Sequence, residues 1–179
     1  SKSFSSVTGD MTVYASWEDP STGFVINGST VKPAAKDTEL TKGTVTYRVT
    51  SANVQNPKVS YVSNSNANAT SVSIPSTVTI DKVTYKVTSI ADYAFRNNKK
   101  LKSVTMGTNI TSIGIKAFCR CSNLSKVTIK SKKLSTIGKQ AFYAISKSST
   151  FYAYNSKLKT YQSKIKKSGI STTIKLKAI

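Results

Sequence analysis

Histidine is absent from all 179 residues, and with it go the Ser-His and Cys-His nucleophile pairs and the usual zinc sites. Acids are almost as scarce: Asp and Glu together number 7 against 27 Lys and Arg. Six of the seven carboxylates lie at or before Asp81 and only Asp92 follows, so no carboxylate pair for glycoside hydrolysis can form in the second half of the chain. Two cysteines, Cys119 and Cys121, are too few for a metal centre and too close in sequence for an unstrained disulfide. Both are expected as free thiols, Cys121 buried and Cys119 more exposed and open to oxidative cross-linking. No glycine-rich phosphate loop is present. No apolar run approaches the roughly 18 residues of a membrane-spanning helix. An enzyme is therefore not expected, nor a cofactor, nor a metal. The opening SKSFSS lacks the apolar core of a leader peptide, and the chain reads as a segment of something longer.

What is present is a repeat. VTSIADYAF, ending at Phe95, returns as ITSIGIKAF and again as LSTIGKQAF. Ile90, Ile113 and Ile137 stand 23 and then 24 residues apart, and the same two steps separate Phe95, Phe118 and Phe142. Leu101, Val104 and Met106 map onto Leu124, Val127 and Ile129. A period of about 20 to 29 residues with recurring apolar positions is the signature of a leucine-rich repeat. One such unit cannot bury its own apolar face, so neighbouring turns must share theirs, and the stack needs a cover at each end.

The unit reads I-x-x-I-x-x-x-A-F-x-x-x-x-x-L-x-x-V-x-I, and with Cys121 between Phe118 and Leu124 it resembles the BspA-type leucine-rich repeat of bacterial surface proteins over residues about 72–154. The resemblance implies a short curved solenoid, a secreted or bacterial cell-surface location and no catalytic activity. MTVYASWE, residues 11–18, is similar to the closing strand of the B repeat of internalins.

The fold expected is α+β and mostly β: a short leucine-rich-repeat solenoid with an N-terminal β cap and a C-terminal cap of helix plus strand. Residues 1–43 read as extension and linker, with turn chemistry at Pro20, Gly23, Asn27-Gly28 and Pro33. Residues 44–86 read as the N-terminal β cap and first solenoid strand. TVTYRVT and KVSYVS alternate in strand fashion, Val72 and Ile74 match Val104 and Met106, and a hairpin forms about Asp81-Lys82. Residues 87–149 hold the repeats, and 150–179 the last strand and the cap. In that cap Leu158, Tyr161 and Ile165 share one helical face, Asn155 or Ser156 caps the helix and Gly169 ends it. Ile174 and Leu176 then alternate in a final strand.

Charge and surface point to what such an object could bind. Residues 1–81 carry six bases and six acids, so the formal +20 lies entirely on residues 82–179. That field attracts polyanions and is screened by salt. The two-residue strand period turns the side chains flanking the core Val and Ile outward, in three rows: Ser71, Ser103, Lys126 and Thr150; Ser73, Thr105, Thr128 and Tyr152; Pro75, Gly107, Lys130 and Tyr154. The candidate partner-binding face is Ser103, Thr105, Lys126, Thr128, Lys130, Thr150, Tyr152 and Tyr154, hydroxylated at one end and basic and aromatic at the other. Tyr beside Lys suits anionic glycans or acidic peptides, a flat apolar contact next to a charge. Read this way, the chain is a non-enzymatic surface module, an adhesin or interaction scaffold, facing a host or neighbouring-cell protein or an anionic glycan. The alternative is a wall-associated spacer docked on anionic wall polymer, or a polyanion-binding module. Only Arg48, Arg96 and Arg120 are arginines, which disfavours specific nucleic-acid reading. A monomer is expected.

Overall fold

A computed structural model of the chain describes residues 24–26, 29–170 and 173–179; the segment similar to the internalin B repeat, 11–18, lies outside the described residues. The described strands are β1 (Phe24–Ile26), β2 (Ser29–Val31), β3 (Glu39–Lys42), β4 (Val45–Ser51), β5 (Lys58–Asn64), β6 (Ser71–Ile74), β7 (Thr77–Ile80), β8 (Val83–Ile90), β9 (Ser103–Met106), β10 (Ser112–Ile113), β11 (Lys126–Ile129), β12 (Thr136–Ile137), β13 (Thr150–Ala153) and β14 (Lys175–Ala178), and the α-helix is α1 (Leu158–Lys167). The fold is mostly β.

Strands β1 and β2 form an antiparallel ribbon of their own. The others belong to two sheets wound by a coil. The first runs β6-β9-β11-β13-β14, parallel throughout. Val72, Val104, Val127, Phe151 and Leu176 stand side by side across it, so the sequence period has become sheet register. The second runs β3-β4-β5-β8-β10-β12, with β7 hairpinned onto β8. In it Tyr61, Ile90, Ile113 and Ile137 are neighbours. Strand β5 already pairs in parallel with β8; β4 and β3 continue antiparallel from it and close that end.

Between the sheets runs a file of six aromatic rings. Tyr47 meets Tyr61 edge-on at 5.7 Å. Tyr61, Phe95, Phe118 and Phe142 then stack face to face, with centroids 5.3, 5.0 and 5.3 Å apart. Phe151 closes the file edge-on at 5.1 Å. Offset stacks and edge-to-face pairs are the favoured aromatic geometries, and a parallel stack at this spacing suits turns that repeat at strand-to-strand distance.

The segments that follow β8, β10 and β12 are turns rather than strands, yet they too are hydrogen-bonded from one coil to the next. Tyr93, Phe95 and Asn97 donate their N–H groups to the carbonyls of Ile115, Ala117 and Cys119. Lys116, Phe118 and Arg120 donate to Lys139, Ala141 and Tyr143. The outer members of each triplet have positive φ: Tyr93 61°, Asn97 65°, Lys116 53° and Arg120 61°, with Gln140 and Ala144 the same in the third turn. The left-handed conformation costs a non-glycine residue about 1 kcal/mol. Here it coincides with amides that donate to the next turn, so the bonded ladder offsets the strain. At Gly114 and Gly138 glycine is required for a different reason. A Cβ on Gly114 would lie 2.5 Å from the Asp92 N, and one on Gly138 2.5 Å from the Ile115 N.

The helix covers the other end. Tyr161 and Ile165 are buried beneath it, the Tyr161 hydroxyl donates to the Ser131 carbonyl at 2.8 Å, and the Ser168 carbonyl accepts the Gln140 N–H that has no further turn to meet. Gly169 leaves the helix at φ 82°, as its position predicts. The start differs from expectation: neither Asn155 nor Ser156 caps α1. A 3₁₀ turn, Asn155–Lys157, leads into it and Lys157 holds the N-cap position with no side-chain bond. The chain leaves β13 so tightly that the Lys157 N–H is taken by the Tyr154 carbonyl, 2.8 Å away.

Two substitutions test this construction. Phe118→Ala, in the middle of the ring file, should lower unfolding free energy by about 3 to 5 kcal/mol in urea titrations; a loss under about 1 kcal/mol would contradict a packed file. Gly138→Ala forces backbone against backbone and should cost about 1 to 3 kcal/mol or more, whereas Gly43→Ala, at φ 59° with open space around it, should cost only the roughly 1 kcal/mol of left-handed strain.

Candidate interaction face

The outward side of the five-stranded sheet is where the candidate residues fall. Ser71, Ser103, Lys126 and Thr150 are in register, and so are Ser73, Thr105, Thr128 and Tyr152. The Ser103 hydroxyl donates to that of Ser71 at 2.8 Å, tying together the hydroxylated end. At the other end the Lys126 ammonium lies 5.4 Å from the centre of the Tyr152 ring. Lys126 and Lys130 are exposed, and Ser103, Thr105, Thr150, Tyr152 and Tyr154 are half-buried. Thr128 is the exception, at 8% exposure. It stands between Thr105 and Tyr152 in its row and is buried there, so it contributes support rather than contact.

Sequence reasoning missed two parts of this face. Lys132 places its ammonium 4.4 Å from the Tyr154 ring centre, and being in a loop it has no place in a strand ladder. Lys175 and Lys177 extend the first two rows, paired with Thr150 and Tyr152. The alternation of Ile174 and Leu176 was a usable signal for that strand, but register needed the structure. Both extended rows thus end in lysine.

The cysteines divide differently from expectation. Cys121 is fully buried, and its thiol donates to the Phe95 carbonyl at 2.9 Å. Burial pushes that thiol up to about 12. Cys119, expected to be the exposed one, is buried too, at 4% exposure. Flanking turns carry the large side chains of Arg96 and Tyr143 at the same repeat position, and these shield it. The basic face of α1 is also less free than its pattern suggests, since the Lys164 ammonium donates to the Ser135 carbonyl.

With this geometry established, comparison with known proteins places the chain. A model of the BspA type leucine rich repeat region, in 6 copies, matches residues 59–178. The chain belongs to the BspA-type leucine-rich repeat family. The match begins at Val59 in β5 and ends in β14, so the BspA-type repeats extend beyond 72–154 to the strand paired with β8 and to the terminal strand. Two solved structures share the fold. A leucine rich cell surface protein from Faecalibacterium prausnitzii is 30% identical with a TM-score of 0.55 over 65% of this chain and 30% of its own. A leucine-rich repeat protein from Bacteroides capillosus is 21% identical with a TM-score of 0.57 over 78% of this chain and 98% of its own. This chain therefore spans under a third of the Faecalibacterium protein's length. No match is found among curated proteins. Among the described residues no helix is long and apolar enough to cross a membrane.

The Cys121 environment sets a pH dependence. Its folded value lies above the ordinary 9.0, so its contribution to stability is fully present below about pH 9 and is lost as pH rises towards 12. Burial raises the hydroxyls of Tyr47, Tyr61 and Tyr161 as well, with the same sign. The urea midpoint should therefore fall steadily above about pH 9, and iodoacetamide at about pH 8 should modify Cys121 only after unfolding. Rapid labelling of Cys121 in the native protein would contradict its burial.

Proposed function

We propose that this BspA-type segment is a non-enzymatic interaction module of a cell-surface or secreted protein, and that it presents the outward side of its five-stranded sheet to an acidic protein or anionic glycan on a host or neighbouring cell. The observation that carries the reading is the pairing of lysines with tyrosines at one end of that face, Lys126 with Tyr152 and Lys132 with Tyr154. Each pair offers a flat apolar ring and a positive charge side by side, on a rigid sheet that needs no ordering to bind. The repeats add little competing negative charge, since Asp92 is the one acidic side chain after residue 81. The cell-surface description of the Faecalibacterium relative supports the location.

The even spread of lysine over residues 82–179 favours a second reading, a spacer held on anionic wall polymer by charge alone. Immobilised glycans, acidic proteins, wall polymers and nucleic acids, each titrated with salt, separate the two. On the first reading one partner stays bound at about 0.3 M salt, where exposed charges are largely screened, and Lys130→Ala or Tyr154→Ala each weaken it about tenfold, or 1.4 kcal/mol. Affinity that follows charge density and vanishes with salt would favour the spacer. Unchanged binding by both variants would remove this face from consideration.

A further inference from the structure

The third side of the coil, built from the turns between the two sheets, holds a separate feature. One position after each phenylalanine the turns carry Arg96, Cys119 and Tyr143 in succession. A small side chain between two large ones leaves a hollow of about 230 Å³, lined by Arg96, Lys116, Cys119, Arg120, Gln140 and Tyr143. Three consecutive turns contribute, so no single repeat contains the site. Its floor is the buried Cys119, and three of its six lining side chains are cations.

Among the described residues no ion pair neutralises those cations. The lining includes no carboxylate. Asp92 accepts the Ile115 N–H at 2.6 Å, and the ion pair found among the described residues, Arg48 with Glu39, is elsewhere. The backbones that carry two of these cations are fixed: Lys116 and Arg120 have left-handed backbones whose N–H groups are bonded to the next turn. The Arg96 guanidinium lies 5.5 Å over the Tyr93 ring. Two of the chain's three arginines thus meet at one hollow in a chain that otherwise uses lysine. Arginine's planar fork pairs with carboxylate or sulfate through two parallel bonds, which a lysine cannot do.

We propose that this hollow binds one acidic sugar unit, carboxylated or sulfated, of an anionic glycan, independently of the sheet face. The volume is below the roughly 300 Å³ at which drug-sized pockets begin, which suits a single ring and is small for a whole nucleotide. Arg96 and Arg120 take the acidic group, with Lys116 adding charge. The half-exposed Tyr143 ring provides a flat apolar flank for the sugar's C–H face. Gln140 supplies both a donor and an acceptor for ring hydroxyls.

Calorimetric titration with a sulfated, uronic-acid-containing disaccharide tests this, alongside inorganic sulfate, a neutral disaccharide and a short single-stranded oligonucleotide at equal ionic strength. The sulfated disaccharide is expected to bind one to one and more tightly than the other three. Arg96→Ala and Arg120→Ala should each weaken it about tenfold, and Arg120→Lys, which keeps charge but loses the fork, several-fold. Cys119→Tyr fills the hollow and should abolish binding. Lys126→Ala and Lys130→Ala, on the sheet face, should leave the arginine-dependent part of the affinity unchanged, which keeps this site's failure distinct from that of the sheet face. Bound disaccharide should also slow alkylation of Cys119. Circular dichroism confirms folding of each variant; if Cys119→Tyr does not fold, the exposed arginine variants decide. Equal binding of sulfate or oligonucleotide, indifference to both arginine variants, or losses matched by Lys126→Ala would each overturn the proposal.

Discussion

Each turn of this coil can bury its apolar face only against the turns beside it, and the rest of the structure follows from that dependence. The aromatic file shows it most directly. Phe95, Phe118 and Phe142 come from successive repeats, and their rings stack on one another. The file then extends beyond the three Ala-Phe turns to Tyr61 and Tyr47 at one end and Phe151 at the other. Stability in such a stack is a sum of interfaces between neighbours, so a defect in one ring is felt by two turns. Backbone bonding obeys the same rule: parallel strand pairs and turn amides alike look to the next coil for their partners.

An array with this property has two exposed ends, and the chain closes them by different means. At the N-terminal end the sheet changes direction, with β4 antiparallel to β5 and β3 antiparallel to β4, and Tyr47 turns its ring edge-on to finish the file. At the other end α1 lies across the last turn, the Ser168 carbonyl at its C-cap accepting the Gln140 amide and its Tyr161 hydroxyl reaching the Ser131 carbonyl. A sheet can end by reversing and a helix can end a coil by supplying carbonyls at its C-terminus, because both meet the unpaired backbone groups that each open end would otherwise bury.

With inward positions committed to packing, variation is confined to what points out. Successive strands carry Ser, then Lys, then Thr in one row and Thr, Thr, then Tyr in the next, and successive turns carry Arg96, Cys119 and Tyr143 at one position. A repeat scaffold makes sites by juxtaposing unlike residues at like positions. This is why a pocket can span three turns without any one turn encoding it.

Residue order alone carries the repeat, its period, the inward file of Ile, Ala and Phe, and the basic bias of residues 82–179. These are local patterns, and a spacing of 23 or 24 residues is readable without knowing what the spacing does. It also located the Asp81-Lys82 hairpin, the helix face of Tyr161 and Ile165, and the outward rows. Tertiary structure decided what depends on a neighbour from another turn. Cys119 is buried because of Arg96 and Tyr143, Thr128 is covered because of its row, and α1 starts without a side-chain cap because β13 ends so close to it. The place of Tyr61 in the ring file was hidden for the same reason, since β5 matches the repeats by register with β8 and not by an Ala-Phe pair. Periodicity records how a chain coils; which side chains shelter, cover or flank one another is set only when the coils come to rest.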